Sequence, residues 1–105
     1  MGYRISIYLN LILLYEKIEI SIKNKVVEIF LLNKGAVLTK TAITEEYQLS
    51  EKLLPAIDAL LAEKGLSSKD IAKMTLQSDM GDNFTTHRIA LTVVNAFNWS
   101  KAVDN

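Results

Sequence analysis

His87 and Arg88 stand side by side at a predicted helix start, where two cationic or hydrogen-bonding side chains and the first-turn amides could together hold an anion such as a phosphate. A His-Arg pair on a solvated first turn needs no ligand, however, and nothing around this single histidine sets it up as a general base. Glu45 and Glu46 are a second candidate, because paired carboxylates can divide acid and base roles; adjacent acids ahead of a helix also simply complement its dipole. Asp79, Asp82 and Asn83 offer three oxygen ligands to a hard cation, but the bidentate Glu that such a loop uses downstream is missing, and the spacing reads as a turn. The chain has no cysteine and one histidine, which excludes disulfides, thiolate metal sites and a purely histidine-based site. No catalytic, cofactor-binding or metal-ligating residue is assigned on these patterns.

The elements that position these residues fit one domain, because 105 residues fill a single core and no more. Half the residues are hydrophobic and 23% are charged, which fills that core and leaves apolar surface over for a partner. Twelve basic and twelve acidic side chains cancel, with no Lys/Arg run of the kind that tracks a nucleic-acid backbone, so direct nucleic-acid binding is not expected. Residues 5–15 (ISIYLNLILLY) are apolar behind Arg4, as in a signal-peptide core, but Asn10 interrupts them, Glu16 and Lys17 follow at once, and the run is too short to span a bilayer. A buried strand is the expectation there. Met1-Gly2 with Ser6 fits a myristoylation pattern too short to carry weight. No membrane association is expected, and a cytoplasmic location follows.

Residues 17–22 and 26–32 are β-rich runs around the polar Lys23-Asn24-Lys25, and a second turn at Asn33-Lys34-Gly35 leads into residues 36–43. This predicts a three-stranded antiparallel meander with helices on at least one face. Residues 26–32 are apolar except at Glu28, the pattern of a central strand covered on both faces, whereas residues 36–43 look like an edge. From Leu49 the period changes to that of a helix, with Leu53, Leu54, Ile57, Leu60 and Leu61 on one stripe and Gly65-Leu66 as its C-terminal stop. Pro55 places the helix start near residues 50–52 or else a kink. Residues 67–70 (SSKD) form a capping-box start, and residues 74–78 (MTLQS) are the next strand. A final helix begins at Thr85 or Thr86. It carries two apolar flanks, Ile89, Val93, Ala96 and Phe97 on one and Leu91, Val94 and Asn98 on another, so that one can dock on the sheet and the other on a helix or another chain. The order deduced is β-β-β-α-β-α.

Residues 50–61 (SEKLLPAIDALL) match S-x-x-L-L-P-x-I-D-x-L-L nearly position for position, and residues 65–71 (GLSSKDI) match the link G-L-S-x-x-D-I that follows it. In this order and spacing the chain resembles the first domain of the TsaB (YeaZ) family, the dimerisation subunit of tRNA threonylcarbamoyladenosine synthesis. The resemblance covers about half the chain strongly. The family's loop before the last helix reads roughly G-P-G-S-F-T-G-L-R-I-G and falls here on residues 80–90 (MGDNFTTHRIA), where Phe84, Thr85, Arg88 and Ile89 are retained. Side chains at Met80, Asp82, Thr86 and Ala90 obstruct a phosphate that a glycine-rich loop would admit, and Asp82 repels it. The superfamily's acidic first strand, roughly I-D-T-S, falls on Glu19-Ile20-Ser21-Ile22, so Ile20 replaces the metal- or nucleotide-directing Asp.

The resemblance implies an α+β layered fold, an actin-like or RNase H-like half domain spanning residues 1–105 with the family's second lobe absent. It implies a non-catalytic scaffold, without cofactor, that pairs through its two helices with a TsaD-like catalytic subunit or forms a homodimer. The residues expected at that interface are Leu53, Leu54, Ile57, Leu61, Arg88, Ile89, Thr92, Val93, Ala96 and Phe97. Two other readings accompany it: a self-associating domain that has lost the partnership, and a minimal nucleotide-binding module of the same superfamily.

Overall fold

Ile18, Ile20 and Ile22 alternate with Lys17, Glu19, Ser21 and Lys23, a period that suits a strand with one face in a core and the other toward water. The computed structural model, which describes residues 15–44, 48–81 and 83–104, contains that strand as β1 (Tyr15–Lys23). The three isoleucines are 1% exposed or less. A two-residue turn at Asn24-Lys25 leads to β2 (Val26–Asn33), and another at Lys34-Gly35 leads to β3 (Ala36–Ile43). All four turn residues have positive φ, the pattern of the type I′ hairpin whose twist matches that of its strands. The antiparallel meander is as expected. Residues 5–14 and the Glu45-Glu46 pair lie outside the described residues.

The sheet order is β3-β2-β1-β4, with β4 (Ile71–Ser78) parallel to β1. This strand starts three residues before the expected Met74, because Ile71 is needed in the core and pairs with Tyr15. β3 is an edge strand, as its composition suggested. A β-bulge beside Leu31 and Leu32 inserts Leu38 into it, so that Thr39, Thr41 and Ile43 turn toward the helices while Val37 and Leu38 stay exposed.

Both helices pack on one face of the sheet: α1 (Leu49–Ala62) over β3 and β2, and α2 (Thr85–Asp104) over β4. The expectation that β2 is covered on both faces is therefore corrected. Val27, Ile29 and Leu31 are buried beneath the helices, whereas Phe30 and Leu32, on the other face, are half-buried. Phe30 stands in register between Glu19 and Lys40, and Leu32 beside Lys17, whose long side chains can shield apolar surface while keeping their charges wet.

Pro55 lies in the second turn of α1, later than expected. Its missing amide leaves the Glu51 carbonyl without a helical donor, but both residues are exposed and water can substitute. The helix ends as predicted. Gly65 takes φ +68°, the Leu66 amide donates to the Leu61 carbonyl at 2.9 Å, and Leu66 packs back on the core. The Ser67 amide donates to Asp70 Oδ2 at 2.9 Å, which nucleates the short 3-10 turn Ser68–Asp70 ahead of β4.

The last helix runs beyond Phe97, and Asn98 shows what the extension does. Its Oδ1 accepts the Met74 amide at 2.9 Å, and its Nδ2 donates to the Met74 carbonyl at 2.8 Å. One side-chain amide thus takes the place of a neighbouring strand at the outer edge of β4. Replacing it by alanine leaves both backbone groups without their partner. Asn98→Ala is expected to cost about 1–3 kcal/mol, read as a lower urea midpoint at unchanged m value.

Candidate partner-binding surface

A helix with a 3.6-residue period can give only one stripe to the sheet beneath it. In α1 that stripe is Leu49, Leu53, Ile57, Leu60 and Leu61, all 5% exposed or less. Leu54 lies about 100° round the helix from Leu53 and is 56% exposed. In α2 the stripe is Thr86, Ala90 and Val94, at i, i+4 and i+8, and the small Ala90 lets the helix settle closely on β4. Ile89, Val93 and Phe97 share the same spacing one position away and are half-buried on the flank facing α1.

The two flanks do not close on each other. Between them runs an apolar cleft of about 400 Å³, walled by Leu54, Ile57 and Leu61 from α1 and by Val93, Ala96 and Phe97 from α2. Its floor is Ile18, Ile71 and Met74, and polar groups enter mainly at the rim, as Asp58, Ser68 and Thr92. A second, more open depression of about 510 Å³ lies between Ser50 and the first turns of α2, with Arg88 and Ile89 in its wall. It shares Thr92 and Val93 with the first, so the helix pair presents one continuous surface. Thr92 donates its hydroxyl back to the Arg88 carbonyl at 2.8 Å, which turns its methyl group, not a hydroxyl in search of a partner, toward that surface. Lys101 Nζ lies 5.4 Å from the Phe97 ring centroid, a cation over the aromatic face.

The ten residues singled out in the sequence separate into three groups. Leu53, Ile57 and Leu61 belong to the chain's own core: Leu53 has no surface to offer a partner, while Ile57 and Leu61 reach the cleft only from its wall. Ile89, Val93 and Phe97 are half-buried, and Leu54, Arg88, Thr92 and Ala96 are exposed around them.

The other candidate residues have structural work. Ser78 Oγ lies 3.0 Å from His87 Nδ1 and accepts the Met80 amide at 3.1 Å, so His87 ties α2 to the end of β4 instead of standing in solvent. Asp79 accepts the Asn24 amide at 3.0 Å and holds the first hairpin turn against this loop. Asp82 lies outside the described residues, and among the described ones no group of three His, Cys, Asp or Glu that could hold a metal occurs. The Ser78–His87 contact has the components of a nucleophile and base, but neither cleft is lined by either residue. Nothing local in the sequence pointed to this pair, because Ser78 and His87 sit on different elements.

The architecture is thus a mixed four-stranded sheet of order β3-β2-β1-β4 with two helices on one face. Among solved structures, YeaZ from Pseudomonas aeruginosa superposes with a TM-score of 0.64 at 22% identity. A protein described as similar to peptidase YeaZ from Pseudomonas aeruginosa superposes with a TM-score of 0.68 at 21% identity. In each case the match takes in 82% of this chain and 39% of the other, so the chain spans well under half the length of these neighbours. What is shared is the fold. No protein-family model matches the sequence, and no curated protein matches it. The resemblance read from residues 50–61 and 65–71 is met by the fold to which it pointed.

Two neighbouring leucines separate core from surface experimentally. Leu53→Ala is expected to lower stability by about 2–5 kcal/mol. Leu54→Ala is expected to change it by no more than about 0.5 kcal/mol, both measured by urea denaturation.

Proposed function

We propose that the chain is a TsaB-like scaffold that pairs through the α1–α2 surface with a TsaD-like catalytic subunit and supports tRNA threonylcarbamoyladenosine synthesis without chemistry of its own. The observation that carries this reading is the open cleft between the helices. Folding leaves Leu54 exposed and Val93 and Phe97 half-covered beside it. A partner that fills the cleft removes this apolar surface from water at about 25 cal/mol per Å². A stable complex formed through a surface centred there and extending over Arg88 and Ile89 would bury roughly 1,200–2,000 Å². The likeness to YeaZ supports the reading at the level of fold.

Two observations favour a supporting role over nucleotide chemistry. Ile20, where the superfamily pattern has an acid, is fully enclosed beneath the helices, a place where a carboxylate would be costly to bury. The Met80 amide, in the loop that would have to cradle a phosphate, is bound by Ser78 Oγ, and Thr86 at the helix start is buried. The reading implies a cytoplasmic protein, where its catalytic partner would meet tRNA; no helix among the described residues is long and apolar enough to cross a membrane.

The test is size-exclusion chromatography with light scattering on the chain alone and with the TsaD-like protein of the same organism. A mixed complex is expected. Leu54→Glu and Ala96→Arg, both at exposed positions, are expected to weaken it at least tenfold, about 1.4 kcal/mol, while leaving the melting temperature within a few degrees. Intact pairing in both variants would remove this surface from the proposal. A homodimer that ignores the TsaD-like protein would favour the self-associating reading instead.

A further inference from the structure

The sheet has two edges, and they are guarded differently. At β3 the bulge that inserts Leu38 breaks the regular run of backbone groups, and Lys40 adds a charge. β4 has neither a bulge nor a proline. It pairs with β1 in unbroken register from Lys73 to Ser78, and Lys73 is the one charged side chain along it. A regular, nearly uncharged edge of this kind is a template for a further strand.

The Met74 amide and carbonyl both meet the Asn98 side chain, so both point away from β1. In a parallel pair the residues of a strand alternate between those bonded to the neighbour and those facing away, which puts the backbone groups of Leu76 on the same free side and those of Thr75 toward β1. The Asp79 amide, which donates to the Ile22 carbonyl at 3.0 Å, continues the inward set. A second copy of β4 laid antiparallel about a two-fold axis at Thr75 fits this pattern. Met74 then pairs with Leu76 of the second copy, Thr75 with its own counterpart, and Lys73 with Gln77. Apolar meets apolar, hydroxyl meets hydroxyl, and no two lysines are opposed. Both central hydrogen-bonded pairs of that arrangement use the backbone of a Met74, the groups that Asn98 holds.

We propose that Asn98 is a plug that keeps the β4 edge from joining, antiparallel, to the β4 edge of a second copy of the chain. The side-chain amide presents one acceptor and one donor as a peptide group does, so it satisfies Met74 without continuing the ladder to Leu76. With the plug in place the edge has no uninterrupted row to offer. With it removed, the outward groups of Met74 and Leu76 are open together and the self-complementary register becomes available. The junction runs along the sheet edge, not through the α1–α2 cleft, and is independent of any partner of the helices.

The absence of cysteine makes a cross-link specific. Residues directly opposed in a non-hydrogen-bonded antiparallel pair have Cα atoms about 4.5 Å apart, within disulfide range. Thr75, in register with Glu19, lies on the sheet face opposite the helices, where a cysteine is accessible. Thr75→Cys combined with Asn98→Ala is expected to form a disulfide-linked dimer under mild oxidation on the order of tenfold faster than Thr75→Cys alone, at a rate that rises with protein concentration. The milder Asn98→Asp keeps an acceptor for the Met74 amide and loses the donor to its carbonyl, and is expected to fall between the two. Equal rates in all three chains overturn the proposal. Lys73→Cys in place of Thr75→Cys should cross-link far more slowly, because its opposite residue is Gln77; equal rates at the two positions overturn the specific pairing. Val94→Ala loosens the same helix from the core without touching the edge, and should leave Thr75→Cys as slow as before. Acceleration there to the Asn98→Ala rate would make a frayed helix the cause and overturn the plug. No TsaD-like protein takes part, so failure here leaves the scaffold reading standing.

Discussion

The burial of Ile18, Ile20 and Ile22 is the constraint from which the rest of this structure follows. They project from one face of β1, the strand that touches both of the others closest to it, and they are sealed only when β2 lies on one side, β4 on the other and two helices above. Each neighbour extends the same layer in register: Leu31 and Met74 flank Ile18, Ile29 and Leu76 flank Ile20, and Val27 and Ser78 flank Ile22. Ser78 ends the apolar row, and it is the point where polar contacts to Met80 and His87 take over. The loop that could have served a ligand is thus the polar border of the core.

Covering that layer requires more width than one helix supplies, and two helices side by side cover it while leaving a seam. α1 and α2 each commit their stripe to the sheet, and the residues just beyond the stripes decide whether the seam closes. At the places where the helices face one another the side chains include Ala96 and Thr92, which are short, and Leu54, which stays exposed. The cleft is therefore a result of side-chain size along the two flanks. It is apolar because the same flanks adjoin the core.

Much of this was legible locally. The two hairpin turns were visible in polar residues that tolerate positive φ, the end of α1 in Gly65-Leu66, and the edge character of β3 in its composition. The surplus of apolar residues on the last helix was also visible, and it marks the flank that faces the cleft. What could not be read depended on partners distant in sequence. Leu53 and Leu54 are equivalent as letters, and only the position of the sheet buries one and exposes the other. The start of β4 at Ile71 required knowing that Tyr15 pairs with it, and the one-sided cover of β2 required knowing that Lys17 and Lys40 flank Phe30 and Leu32. Asn98 read as part of an apolar flank, because its true partner is a backbone twenty-four residues away.

The parallel pairing of β1 with β4 sets an order of assembly. The hairpins joining β1, β2 and β3 close through two-residue turns, whereas Ile18 and Met74, side by side in the sheet, are separated by most of the chain. Loop-closure entropy makes the second pairing the slow one. During synthesis the meander emerges first, with its isoleucine face uncovered until α1, β4 and α2 have followed. For that interval the nascent protein is a three-stranded sheet with one greasy side, a species that chaperones bind, and the speed with which roughly the last sixty residues arrive sets how long it is exposed.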